Sequence, residues 1–305
     1  MNPYISVVIT GRNDNYGENF LDRLNIFIKS LDHQVIDFPD LIELIIVEWN
    51  PPVDTPPLMD VIIQPKNLNC RIITVSNQIH ETLNSKSPML EFYAKNVGIR
   101  RANGKFVLVT NPDILFTNEL ITYFSTKHLD ENSVHRVDRY DYKGNEIKDV
   151  AVEDYINYAA SNTFLAHICY NENNISVPVN PKEHFPVSVI KPYSLHLNAC
   201  GDFILATKEN FLRVGGLWET LSQKWHLDSY SLLKFAGNKI GMNVLLFPYC
   251  IFHMDHYRKE PDVKYNPSFS DKIINNPNIL LSDAGEDWGL NNIELTEYVN
   301  ERTIF

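Results

Sequence analysis

The sequence is poor in cysteine. Cys70, Cys169, Cys200 and Cys250 are widely spaced over 305 residues and form no C-x-x-C pair. This argues against a disulfide framework and for reduced, mostly buried thiols. Long apolar runs are also missing: none approaches the ~20 residues of a membrane-spanning helix, so no integral membrane segment is expected. The N-terminus enters a strand-like run at once, which leaves no space for a signal peptide; a cytoplasmic location is expected. Basic charge is in deficit, with 27 Lys and Arg against 38 Asp and Glu and a net charge of -11. Nucleic acid is a poor partner for such a surface, although a local basic pocket stays open. Two phosphate-binding signatures are absent as well. The loop Gly11-Arg12-Asn13-Asp14-Asn15-Tyr16-Gly17 is not G-x-G-x-x-G, and no Walker A run occurs.

What is present belongs to a globular protein, 44% hydrophobic and 21% charged. Ile5–Thr10 is a short β-branched run bounded by Gly11, as in a buried strand. Phe20, Leu21, Leu24, Phe27, Ile28 and Leu31 share one helical face. Further strands are expected at Leu41–Val47, Cys70–Val75 and Phe106–Thr110. A helix marked by Leu90, Tyr93, Ala94 and Val97 is expected to end near Gly104 as its C-cap. This alternation, without internal repeat, calls for an α/β fold with a mostly parallel central sheet flanked by helices. Ligands bind such sheets beyond the carboxyl ends of the strands, where Arg12, Asp14, Glu48 and Asp113 fall. Tyr142–Tyr193 reads as loops and short elements with a helix around Val152–Ala160. Strands follow at Phe203–Thr207, Asn243–Phe247 and Cys250–Phe252, and helices at Glu209–Val214 and Leu227–Ala236. Residues 261–305 read as an appended polar tail, with one amphipathic segment from Ile293 to Val299.

Without a glycine-rich loop, a metal is the simplest means of holding phosphates. Asp113 ends an apolar strand, and a hard divalent cation wants carboxylate oxygen; Asn-Pro-Asp is equally good turn chemistry. His253 and His256 follow the last strand of the pattern. A neutral imidazole suits Mn²⁺ better than Mg²⁺. Strand context favours one ligand, His253, with His256 structural or supporting. Asp228 opens an apolar-periodic helix, where it either complements the macrodipole or serves as a base fixed on a rigid element.

These pieces, in this order, resemble family 2 glycosyltransferases and their relatives of the GT-A (Rossmann-like nucleotide-diphospho-sugar transferase) fold. Val7–Asp14 is similar to the opening strand and nucleotide loop, and Leu44–Glu48 to the second strand with its terminal acid. Ala94–Leu108 is similar to the run before the acidic motif, and Thr110-Asn111-Pro112-Asp113 stands where D-x-D is found. Gly201-Asp202-Phe203 and Gly215–Glu219 resemble the acceptor-side strand and turn, and His226-Leu227-Asp228 takes the place of the Glu-Asp pair. A less characterised bacterial branch looks nearer still, with similar strings over Ala94–Ala102, Asn198–Phe203 and His253–His256. Two departures stand out: Asn111 replaces the first aspartate of D-x-D, and Leu227 the acid before Asp228.

The resemblance implies a GT-A domain over 1–260, with a nucleotide-binding part to about 115, an acceptor-binding part over 116–260 and an extension over 261–305. It implies a nucleoside diphosphate sugar as donor, UDP favoured, and a glycan or other hydroxyl acceptor, with Mn²⁺ or Mg²⁺ assisting. Arg12, Asp14 and Glu48 would then meet base or ribose. Lys95, Asn96, Arg100 and Asn111 would face nucleotide or sugar, although Arg100 and Arg101 read equally well as a solvated helix face. Asp113 with His253 and His256 would hold metal, and Asp228 would be the base of an inverting transfer. Gly201, Asp202, Trp218 and Glu219 would line the acceptor side; Glu219 also suits fixing its own turn. Trp218, Trp225 and the Tyr-rich middle could stack on sugar rings, although such aromatics also suit a core. A nucleotidyltransferase or a non-catalytic glycan-binding protein are the alternatives within this fold.

Overall fold

The computed structural model describes residues 2–144, 146–168, 187–189, 196–197, 199–221, 227–257 and 286–300. The expected Trp225 and His226, and most of the 169–195 stretch, lie outside these residues.

One sheet organises the chain. Four adjacent strands, β3 (Asn69–Val75), β2 (Ile42–Trp49), β1 (Ile5–Gly11) and β4 (Phe106–Val109), are all parallel. Next come β9 (Ile204–Thr207), antiparallel to β4, then β6 (Ser133–Tyr142) and β10 (Gly241–Met254), parallel to each other, and finally β5 (Ile114–Phe116). Because β9 is antiparallel to both β4 and β6, the strands β1, β2, β3, β4, β6 and β10 all point the same way. Their carboxyl ends therefore share one edge of the sheet. β7 (Thr163–Ile168) pairs off β6, and β8 (Val187–Val189) pairs with β7.

Both faces of the parallel strands are covered, which is why β1 and β2 are buried throughout and lack polar alternation. Ile5, Val7 and Ile9 pack on one side with Leu24, Phe27 and Leu31 of α1 (Phe20–Gln34). Val8 packs on the other with Ala94 and Val97 of α4 (Glu91–Arg101), Phe211 of α7 (Lys208–Val214) and Phe235 of α8 (Leu227–Gly237). Two helices have a Ser or Thr side chain at the N-cap accepting a backbone N–H: α3 (Asn77–Thr82), capped by Ser76, and α7, capped by Thr207.

Several expectations are corrected. Helix α4 stops at Arg101, with Ala102 extended at its C-cap; Gly104 is needed for a different reason. A Cβ there would lie 2.5 Å from the backbone nitrogen of Ser6, so the turn into β4 approaches β1 too closely for a side chain. The two expected strands after residue 241 form one strand, β10, with a register irregularity between Leu245 and Cys250. The expected helix near residue 152 begins as a 3₁₀ turn and continues as α6 (Tyr155–Ser161). Cys70, Cys200 and Cys250 are free and buried, and burial pushes the Cys70 thiol up to about 12.

The tail is joined to the body. Residues Thr296–Asn300 form β11, antiparallel to β3 at the sheet edge. Just before it, the Arg100 guanidinium lies 3.8 Å from the Trp288 ring centroid and donates to the carbonyls of Trp288 and Glu286. Arg101 donates to the carbonyls of Gly289, Leu290 and Ile293. These two arginines dock the tail instead of forming a solvated helix face.

Candidate active site

The shared carboxyl edge brings together residues far apart in sequence. Asp113 follows β4, His253 is the penultimate residue of β10, and His256 lies three positions on in extended chain. One ligand atom from each of these three lies within 4.8 Å of the others. His256 Nε2 is 3.1 Å and His253 Nε2 3.8 Å from Oδ2 of Asp113. On the far side of each ring an oxygen stands near Nδ1: Asp141 Oδ1 lies 3.1 Å from that of His253, and the Tyr257 carbonyl is 2.8 Å from that of His256. Both rings thus turn Nε2 toward Asp113, the arrangement of metal-binding histidines whose other nitrogen is held by an acceptor. His256 takes part on the same terms as His253, where strand context alone favoured one of them.

Asp113 Oδ1 is buried and lacks a hydrogen-bond partner among the described residues. A buried acceptor left open normally demands explanation, and a bound cation would supply one. Burial would raise the Asp113 carboxyl, but His253, His256 and Arg23 outweigh it and hold the group below the usual carboxylate range. Two histidine nitrogens and a carboxylate suit Mn²⁺ better than an all-oxygen Mg²⁺ site.

Behind this group stand residues that sequence reasoning missed. Arg23, on α1, is 4.0 Å from Asp113 and donates to the carbonyls of Tyr16, Gly17 and Glu18, which fixes the loop after β1. Gly17 itself has φ +68°, and a Cβ on it would lie 2.5 Å from His256 Nδ1. Asp141 and Arg139 come from β6, where spacing of two puts them on one face. Asp141 also meets His167 Nε2 at 3.1 Å. The available signal was Arg-x-Asp within a strand-length run.

Asn111 does not point its amide at the cation group. It donates to Asp202 Oδ1 at 2.6 Å and accepts from Lys95 Nζ at 2.8 Å. Lys95, 1% exposed, also reaches Glu91 and the Gly201 carbonyl. The amide of Gly201 donates to Asp228 Oδ2 at 3.1 Å, so Lys95 and Asp228 hold opposite sides of one glycine. Asp202 adjoins it and pairs with Arg139.

Other candidates are engaged in the fold. Glu48 is fully buried at the end of β2 and accepts the Leu58 amide at 2.8 Å; burial raises its carboxyl. Asn96 bonds both the amide and the carbonyl of Leu217, and Glu219 accepts from Asn96 and from the Gly289 amide. Trp218 is buried edge-on against Tyr230. Arg12 and Asp14, in the loop after β1, pair at 2.6 Å, with Arg12 also donating to the Asn50 carbonyl.

A parallel sheet with an antiparallel strand between β4 and β6, and a polar cluster at its carboxyl edge, defines an α/β fold of the GT-A class. Among solved structures the chain is similar to S. aureus TarS 1-349 in complex with UDP-GlcNAc, with a TM-score of 0.52 and 14% identity over 94% of this chain and 70% of that one. In a second crystal structure of TarS 1-349 the values are 0.46 and 15%, over 82% of this chain. The chain spans 60% of that second structure's length. For the catalytic domain of Drosophila β1,4-galactosyltransferase 7 in complex with xylobiose they are 0.45 and 10%, over 95% and 84%. No protein-family model and no curated protein matches the sequence. Among the described residues no helix is long and apolar enough to cross a membrane.

Proposed function

We propose that the protein is a glycosyltransferase that transfers a sugar from a nucleoside diphosphate sugar to a hydroxyl of a glycan or other acceptor. The observation that carries this reading is Asp113 at the carboxyl edge of the sheet: its Oδ2 lies 3.1 and 3.8 Å from the Nε2 atoms of His256 and His253, and its buried Oδ1 has no hydrogen-bond partner among the described residues. Asp113, His253 and His256 would hold Mn²⁺ or Mg²⁺. When bound, the cation supplies positive charge against the diphosphate that departs. A UDP-sugar is the first donor to test, because the similar TarS structure was crystallised with UDP-GlcNAc.

The chain's own residues divide the remaining work. Arg12 and Asp14 in the loop after β1 meet base or ribose; the donor part extends to about residue 115 and the acceptor part to about 260. Lys95 and Asn111 form the wall beside the sugar. Asp228, fixed at the start of α8 by the Gly201 amide, takes the proton of the attacking hydroxyl, and attack from the face opposite the leaving group inverts the anomeric carbon. Calorimetry of UDP in Mn²⁺ and in EDTA, followed by product analysis, tests the reading. Metal-dependent UDP binding and release of nucleoside diphosphate are expected. Release of pyrophosphate would point to nucleotidyl transfer instead, and equal affinity in EDTA would remove the cation from the account.

A further inference from the structure

The cation group is backed by one side chain that the chemistry above does not use. Arg139 sits on β6 with 7% of its surface exposed, and its guanidinium serves two buried carboxylates at once. Its Nε is 2.8 Å from Asp141 Oδ1, its Nη2 donates to Asp141 Oδ2 at 2.9 Å, and its Nη1 donates to Asp202 Oδ2. Each carboxylate leads on toward Asp113. From Asp141 the path runs through His253 Nδ1 at 3.1 Å. From Asp202 it runs through Asn111, whose amide donates at 2.6 Å and which lies two residues before Asp113.

We propose that Arg139 is a positioning residue that sets the cation site from both sides, orienting His253 through Asp141 and the 111–113 turn through Asp202. The proposal rests on the reading that Asp113, His253 and His256 hold a divalent cation. Its physical basis is geometric. Only a planar fork reaches both carboxylates at once, with Nη2 donating to Asp141 and Nη1 to Asp202. A lysine carries one compact ammonium and cannot span both. Without the fork, Asp141 is a buried carboxylate short of a partner. It then no longer holds the imidazole, and the Nε2 of His253 loses its fixed direction.

Arg136 provides the internal control. It is equally buried on β6, but an odd number of residues away and hence on the opposite face. There it donates to the carbonyls of His196 and Cys200. The experiment is Mn²⁺ titration of the nucleotide-free protein by calorimetry, for the wild type, Arg139→Lys and Arg136→Lys, with melting curves alongside. Arg139→Lys should lower Mn²⁺ affinity by roughly 10–100-fold, while Arg136→Lys stays near the wild-type value whatever it does to the melting point. Should Arg139→Lys fail to fold, Asp141→Ala removes the arm to His253 and leaves the Arg139–Asp202 pair; the same loss is expected. Wild-type affinity in the variant used, or equal losses in the Arg139 and Arg136 variants, would overturn the proposal and leave the cation site standing. Absence of Mn²⁺ binding in the wild type would instead bring down the reading on which it rests.

Discussion

Asn111 donates its side-chain amide to Asp202, 91 positions away, at 2.6 Å. The contact requires a donor at 111. A second carboxylate there would face Asp202 across a buried hydrogen bond, with Lys95 on one side and Arg139, already shared between Asp202 and Asp141, on the other. Asn111→Asp should therefore destabilise the fold by on the order of 2 kcal/mol. It should bring no gain in Mn²⁺ affinity, because the side chain is turned toward Lys95 and Asp202. Urea unfolding at pH 7.5 and Mn²⁺ calorimetry measure the two effects.

Asp113→Ala should remove the metal-dependent part of UDP affinity and leave the weaker binding in EDTA as it is in the wild type. Titrations of wild type and variant, each with and without Mn²⁺, separate the two contributions. A variant that still responds to Mn²⁺ would place the cation elsewhere.

Gly17→Ala approaches the same site from the loop. Its φ of +68° costs an L-residue roughly 1–2 kcal/mol, and the new methyl would meet His256 Nδ1 at 2.5 Å and the Tyr257 carbonyl at 2.9 Å. The imidazole must shift. Mn²⁺ affinity should drop by about tenfold, and the strain should lower the melting point by a few degrees.

Asp228→Asn keeps the shape of the carboxylate and its capacity to accept the Gly201 amide, but removes the basicity. Turnover should decline by roughly 10²–10⁴-fold while donor affinity barely moves. Steady-state kinetics at saturating donor decide this. A near-normal kcat, with loss in Asp202→Asn instead, would move the base to Asp202.

Stability should fall as the medium becomes mildly acid. Burial lowers the imidazoles of His135 and His196, against the opposing pull of the Asp130 backbone and of Asp138 respectively. In the unfolded chain both titrate near ~6.5. Below that pH the unfolded state binds more protons, so stability rises with pH through this window and is complete above it. Asp141 and Asp202 are held below the ordinary carboxylate range and contribute their loss only in stronger acid. The urea midpoint should be lower at pH 5.5 than at pH 7.5, and His196→Gln should flatten that difference.

The first half of the fold was legible because β1 to β4 are continuous β-branched runs ending in turn residues, and the chemistry gathers where such strands end. Asp113, His253 and His256 could be read for the same reason. β6 could not. Its apolar residues Val134, Val137, Tyr140 and Tyr142 are interrupted by His135, Arg136, Asp138, Arg139 and Asp141. This run shows neither strand nor helix periodicity in sequence, whereas in space Arg139 and Asp141 neutralise each other on one face and Asp138 meets His196 on the other. Arg100 and Arg101 misled in the same way, since carbonyls of a tail nearly two hundred residues on take the place of water. Local patterning cannot show partners that arrive from so far along the chain.

The docking of β11 has a consequence for the order in which the protein can be made. Arg71 on β3 bonds Glu297 on β11, 226 positions away. At translation rates of about 5–20 residues per second, β3 is complete while the ribosome still needs roughly 10–45 s to deliver the strand that closes its edge. For that interval β3 offers its unpaired amides and carbonyls to any passing chain, a known hazard of open sheet edges. Arg71 is already in place then, anchored to Glu43 and to the carbonyl of Arg101. The nascent edge thus carries a fixed positive charge before its proper neighbour exists, and Glu297 arrives with the complementary one.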